Sequence, residues 1–212
     1  MSNQNGNAYA LTTMCPIRNG SLSVAAEGCP AEASFSAVTR YQLQNLGTAE
    51  QSPMARVPNT YLCRFYVLDD VLYQGTPAQY DTLKSSYLVF TSNFHGKLDP
   101  WLHGMWNAAT ESVRSIWKHC VGFGSVHDAD GFIEYIKKCQ LKTTFFFNGS
   151  TDESLADQLK SLYLKQEFSK FAFENQGKNP ADTQQAFRRF VQRVQPANPD
   201  GPTWRPGQSQ LS

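Results

Sequence analysis

The sequence predicts an α+β fold, a ferredoxin-like antiparallel sheet in βαββαβ order with additional C-terminal helices, and three observations carry that expectation. Two runs dense in aromatic and β-branched residues, TYLCRFYVLDDV from Thr60 and SSYLVFTSNFHG from Ser85, read as adjacent strands. A third run, NAYALTTMCPI at residues 7–17, precedes them and stops at Pro16. Segments with helical spacing of apolar residues separate and follow these runs, so the order is strand, helix, strand, strand, helix, strand, with extra helices after it.

Taken in order, residues 18–28 are rich in Gly, Ser and Ala and read as a loop. Pro30 suits a first helical position and opens a helix with Phe35, Val38, Tyr41 or Gln42, and Leu46 at helical spacing, ended by Gly47. Pro53 and Pro58 mark the connection into the central strand. There, a period of two puts Leu62, Arg64, Tyr66 and Leu68 on one face and Cys63, Phe65 and Val67 on the other, which predicts a sheet covered on the second face and only partly on the first. Residues 72–86, with Gly75 and Pro77, are too many for a tight hairpin turn.

Asp99 and Pro100 predict a capped helix start, followed by an apolar stripe of Leu102, Met105, Trp106, Ala109, Val113, Ile116, Trp117 and Cys120. Beyond the break VGFGSVHDADG come a short helix at 132–139 and KTTFFFNG, read as a fourth strand centred on Phe145 to Phe147. Ser150 with Glu153 forms a capping box for a helix at 152–175. Asn179 and Pro180 start a last helix with Phe187, Phe190, Val191 and Val194 on one side and Arg188, Arg189 and Arg193 on the other.

The chain of 212 residues suits one core, so residues 1–194 are expected to form a single α+β domain, with 195–212 a Pro/Gly-rich tail that is disordered or draped over the surface. A formal charge of +1 removes the bulk electrostatic argument for nucleic acid or an anionic membrane. The polar start MSNQNGN and the lack of any run near the ~18 apolar residues of a membrane span predict a cytoplasmic protein. Five widely spaced cysteines without CxxC fit free, structural thiols in a reducing compartment.

Most chemical motifs fail on spacing. None of His95, His103, His119 and His127 pairs at i, i+4, so no metal site is predicted, although a single imidazole over an apolar pocket would suffice for haem. His119 and Cys120 point about 100° apart on a helix and cannot act as base and nucleophile. GFGSVH lacks the third glycine of a dinucleotide fingerprint, and Phe132 and Cys139 occupy ligand positions of what would be a calcium loop at Asp128 and Asp130. What survives is a ligand-binding set on the sheet: Arg64, Tyr66, Asn93 and His95. Arg64 lies mid-strand among apolar neighbours, where its charge needs Asp69, Asp70 or an anionic ligand unless it snorkels to water.

The segments AYALTTMCPI, RFYVLDD and YLVFTSNFHG, in that order within residues 7–106, resemble the dimeric α+β barrel superfamily of chlorite-dismutase-like, dye-decolorizing-peroxidase-like and monooxygenase-like domains. That resemblance implies a homodimer, an oxidoreductase-like activity and haem as the candidate cofactor. The peroxidase signature GxxDG has its nearest counterpart at residues 127–131, where His127 replaces the first glycine. The expected function is a small-molecule-binding, redox-associated domain acting on a largely apolar or carboxylate-bearing ligand. The alternative is a non-enzymatic accessory or assembly protein that binds a partner through its sheet face, terminal helix and tail, and the residues leave open whether it is an enzyme.

Overall fold

The computed structural model describes residues 3–23, 32–77 and 80–208. Strands β1 (Gln4–Asn5), β2 (Ala8–Pro16), β5 (Thr60–Leu68) and β6 (Tyr87–His95) form one antiparallel sheet in the order β1-β2-β6-β5. Strands β3 (Ser21–Ser23) and β4 (Glu32–Ser34) pair in a second, two-stranded sheet, β3 in the stretch expected as a loop and β4 where the helix opened by Pro30 is expected. Helices α1 (Phe35–Gln44), α2 (Leu98–Trp117), α3 (Ala129–Cys139), α4 (Leu155–Glu174) and α5 (Pro180–Val194) complete the chain. The fold is therefore mixed α+β with antiparallel sheets and extra C-terminal helices.

Register explains the sidedness of the main sheet. Tyr9, Leu11, Thr13 and Cys15 of β2 lie opposite Phe94, Ser92, Phe90 and Leu88 of β6, which in turn face Cys63, Phe65 and Val67 of β5. Because side chains alternate across a strand, all of these point to one face. There they meet the buried stripe of α2, including Trp101, Leu102, Met105, Val113 and Trp117, with Phe132 and Ile136 of α3 behind it. Trp101 stacks on Phe94 with ring centroids 4.0 Å apart and planes 3° from parallel. Phe65 stacks on Phe90 at 4.4 Å, and Trp117 meets Phe90 edge-on at 5.4 Å. Such pairs each add about 0.5–1.5 kcal/mol beyond the burial of the rings.

Several helix starts differ from the expected ones. Ser34 caps α1 by accepting the Ala37 N–H at 3.2 Å, so that helix begins at Phe35, and Pro30 lies outside the described residues. Helix α2 begins one residue before Asp99, whose carboxylate serves Lys137 at 2.7 Å instead of capping. Asp128 caps α3 through the Gly131 N–H at 2.8 Å, which gives the Asp-rich stretch a structural role. For α4 the cap is Ser154, holding the Asp157 N–H at 3.2 Å, four residues beyond the expected Ser150. Asp152 instead accepts the Asn7 N–H at 2.8 and 3.0 Å. The cap at Asn179 falls where the sequence puts it, accepting the Asp182 N–H at 3.0 Å.

The exact βαββαβ order is not matched, because the expected fourth strand does not form. On the outer edge of β2, β1 occupies one end, and Gln140 makes an isolated bridge to Thr13, with the Leu141 N–H on Thr12 O at 2.8 Å. Asn3 then takes over the next peptide groups with its side chain, donating to Leu141 O at 3.2 Å and accepting the Thr143 N–H at 3.0 Å. With those groups satisfied by an amide side chain, the segment leaves the sheet, and Phe145 and Phe147 stay 82% and 72% exposed.

The dimeric-barrel resemblance is corrected by the same topology. Barrel closure requires a row of strands without free edges. Here the main sheet has three long strands and a two-residue β1, and β5 ends it without a partner strand. The two small sheets make no closed barrel, and the homodimer and oxidoreductase-like chemistry inferred from that superfamily lose their basis. Among the described residues, no helix is long and apolar enough to cross a membrane.

Helices α4 and α5 pack as a hairpin around Phe168, Phe171, Phe187 and Phe190, with Arg193 on Glu167 at 3.0 Å. Residues 195–208 contain neither helix nor strand. Lys160, only 4% exposed, donates to Val194 O at 2.6 Å and to Pro202 O at 2.8 Å, and Gly207 comes against the backbone of Ala49. Burial pulls the Lys160 pKa down, so its two carbonyl partners hold a charge that would otherwise be costly. Truncation after Pro196 removes Pro202 while keeping the Val194 carbonyl as a peptide group, and is expected to destabilise the protein by ~1–3 kcal/mol, the cost of an underbonded buried charge. Urea unfolding of the full-length and truncated chains measures this, and Lys160→Met in the truncated chain should recover part of the loss.

Candidate functional site

The face of the main sheet opposite the helices is built from three cross-strand rows. Ala10, Asn93 and Leu62 form the first, Thr12, Thr91 and Arg64 the second, and Met14, Val89 and Tyr66 the third. The first two rows surround a groove of about 430 Å³. Its lining side chains on this face are Ala10 and Thr12 of β2, Thr91 and Asn93 of β6, and the larger Leu62 and Arg64 of β5. A bulge at Tyr61, where Thr60 pairs with Phe94 but Leu62 already pairs with Asn93, sets Leu62 on this face. The Tyr61 hydroxyl donates to Glu153 O at 2.6 Å and ties the bulge to the turn before α4.

The four residues singled out from sequence all map to this face, but not to one cavity. Arg64 and Asn93 line the groove, and both are exposed. Tyr66 stands one row away beside Val89 and is 44% exposed. His95 lies at the far end of β6, opposite Ala8, and opens into a separate hollow of about 210 Å³ with Asn59, Lys97 and Trp101. Leu62, 68% exposed, and the hydroxyls of Thr12 and Thr91 were not in the predicted set; only the strand register brings them beside Arg64.

Arg64 has no ion pair among the described residues, and both carboxylates considered for it are committed elsewhere. Asp69 binds Arg40 of α1 at 2.5 Å and accepts the Ser86 hydroxyl at 3.2 Å. Asp70 accepts the N–H groups of Leu83 and Val71, each at 2.8 Å, and these bonds lower its pKa. Together with the reciprocal bonds between Gln74 and Asp81, they close the connection from β5 to β6, which displays Leu72, Tyr73 and Tyr80 at 92%, 83% and 86% exposure.

The histidines occupy separate environments. His119 is buried, with the Phe35 ring tilted 36° against it at a centroid distance of 4.9 Å. His103 is bound to Asn107 at 3.1 Å on the surface of α2, and His127 is exposed. Among the described residues, no group of three or more His, Cys, Asp or Glu side chains is arranged to hold a metal ion. No protein-family model, no curated protein and no solved structure matches the chain.

Two expectations follow from these environments. Because Arg64 is exposed and has no carboxylate partner, Arg64→Ala should change unfolding free energy by no more than about 0.5 kcal/mol, as measured by denaturant titration. A loss of several kcal/mol would reveal a buried ion pair. His119 has its pKa lowered first by burial and then by Lys118 and Arg18, and its Nδ1 is buried without a partner. The folded state therefore resists protonation, while the unfolded chain takes up a proton as pH falls through its ordinary histidine range. Stability should drop on acidification across the interval between the unfolded pKa and the lower folded one, and His119→Phe should flatten that part of a stability-versus-pH curve.

Proposed function

We propose that this protein is a non-enzymatic binding module that holds a partner polypeptide on the outer face of its main sheet, with Arg64 receiving a carboxylate of the partner. The observation that supports this most directly is an uncompensated guanidinium set between the exposed Leu62 and Tyr66 on one edge strand. Arginine and tyrosine are the residue types that anchor protein interfaces, and a planar guanidinium suits bidentate carboxylate recognition. Among the described residues no backbone group outside the sheet bonds to β5, although α1 and the turn at residues 53–56 pack against that strand. Leu72 and Tyr73, in the connection after β5, are exposed as well.

A small carboxylate ligand is the second reading, favoured by the hydroxyls of Thr12 and Thr91 and the amide of Asn93 around Arg64. It is weaker because small-molecule sites enclose most of their ligand, whereas Arg64 and Asn93 are exposed and Leu62 is 68% exposed.

A photo-crosslinking amino acid at Leu62, introduced in the cells that make the protein, should yield a discrete adduct of higher mass. Arg64→Glu should abolish that adduct, and the same crosslinker at the exposed Leu162 of α4 should give none. With the partner in hand, Arg64→Ala should weaken binding by about 2 kcal/mol, roughly thirtyfold. The proposal fails if Leu62 yields no adduct, or if the adduct survives charge reversal at Arg64. Failure accompanied by stabilisation of the wild-type chain by a small carboxylate, lost in Arg64→Ala, would establish the second reading.

A further inference from the structure

Away from the open face, three thiols and a phenol converge where the ends of α2 and α3 meet the outer edge of β2. Cys15 points inward from β2 and is fully buried, with the Trp117 indole N–H aimed at its Sγ at 3.4 Å. Cys120, just past α2, is 2% exposed and sits in an isolated bridge with Ile17. Cys139 ends α3, one helical turn after Tyr135, so the two share a helix face. The Tyr135 hydroxyl donates to Val121 O at 3.2 Å and faces both Cys120 and Cys139. The Thr13–Gln140 bridge sets Cys139, the residue before Gln140, beside the end of β2 that carries Cys15, whose own thiol donates to Thr13 Oγ1 at 3.9 Å. All three thiols are free.

Cys139 is the most exposed of the three, while Cys120, 2% exposed, lines a separate hollow with Arg18 and Lys118. Cys139 is half-buried and lines a hollow of about 490 Å³ with Met14, Pro16, Glu134, Tyr135 and Lys138. The hydrogen bond from Cys15 is the main influence holding the Cys139 thiol below its ordinary range, with Tyr135 adding to it, whereas Cys15 is pushed up. Lys138, on the rim of the same hollow, sets positive charge against the carbonyl end of α3. A partly exposed thiol lining a hollow, held by the Thr13–Gln140 bridge beside the strand segment that buries a second thiol, has the placement of an attacking and a resolving cysteine.

We propose that Cys139 is a site of oxidation by hydroperoxides and that Cys15 resolves the product into a Cys15–Cys139 disulfide. In the first step the Cys139 sulfur attacks the terminal oxygen of the hydroperoxide. The S–O bond forms, the O–O bond breaks, and the alkoxide leaves with the thiol proton as an alcohol (water, for hydrogen peroxide). In the second, the Cys15 sulfur attacks the sulfenic sulfur of Cys139; the S–S bond forms, the S–O bond breaks, and hydroxide departs with the Cys15 proton as water. Two thiols are oxidised and one hydroperoxide is reduced. The bond would tie the exit of α3, where Gln140 bridges Thr13, covalently to the sheet.

The test uses the fully reduced, full-length chain and hydrogen peroxide as the probe. With one equivalent of oxidant and dimedone present, Cys139 should be labelled roughly tenfold faster than any other cysteine of the chain. Without dimedone, peptide mapping under non-reducing conditions should recover a Cys15–Cys139 bridged peptide lacking two hydrogens. Cys15→Ala should lengthen the lifetime of the Cys139 sulfenic acid, and Cys139→Ser should abolish both products. A bridge joining any other pair, or labelling of Cys139 no faster than that of Cys63, overturns the proposal. Both readouts are taken on the wild-type chain, so they stand even if the buried Cys15→Ala change impairs folding.

Discussion

The rings stacked between strand β6 and helix α2 position nearly everything else in the molecule. Trp101 lies flat on Phe94, Trp117 stands edge-on to Phe90, and Phe65 extends the stack across to β5. Each ring removed from water in this layer contributes on the order of 1.5–3 kcal/mol through apolar burial, before any gain from ring geometry. Because β6 is the central strand, these contacts orient the strands on either side of it. The inner face is so committed to aromatic packing that the polar groups on it are held locally, as when Ser92 donates to Leu62 O at 3.0 Å and Trp101 to Thr60 Oγ1 at 3.1 Å.

That commitment has a counterpart on the opposite face. A four-stranded antiparallel sheet can leave one side to solvent, but its solvated side is usually polar, and here β5 places Leu62 and Tyr66 there with Arg64 between them. An interior ion pair would have neutralised that arginine, yet the acidic residues immediately after β5 are used to close the connection to β6 and to hold α1. The chain thus satisfies its own carboxylates first and leaves the cation on the strand without one. In the proposed interface that allocation sets the partner's charge, since an exposed cation among apolar side chains favours carboxylate-bearing partners over neutral competitors.

Long elements with strong periodicity were legible in the sequence. The stripe from Leu102 to Cys120 is buried at every position, and the alternation through residues 62–67 gave the correct sidedness of β5. Local capping was less legible, because several Ser and Asp residues near each start could serve: Ser154 prevailed over Ser150 once Asp152 was drawn to the Asn7 N–H. The missing fourth strand was invisible for a related reason. Nothing in KTTFFFNG itself announces that Asn3, far away in the chain, will bond its peptide groups with a side chain and take them out of a ladder. Arg64, Tyr66, Asn93 and His95 were chosen as polar groups on one sheet, but only register distinguishes the pair that shares a groove from the histidine that opens elsewhere.

The cysteines show the same limit from another direction. Read singly, each buried thiol behaves as a small hydrophobe, and the spacing of Cys15, Cys120 and Cys139 gives no reason to group them. Their convergence depends on two isolated bridges, Thr13 to Gln140 and Ile17 to Cys120, which draw the ends of α3 and α2 to one edge of β2. After Gln140 the chain runs toward Thr12 and Asn3, away from the Met14 and Pro16 end of β2, so the hollow that exposes Cys139 stays open beside the end of α3. The open face and the thiol cluster thus lie at opposite edges of the main sheet, one on the edge strand β5 and the other at the partly paired edge of β2.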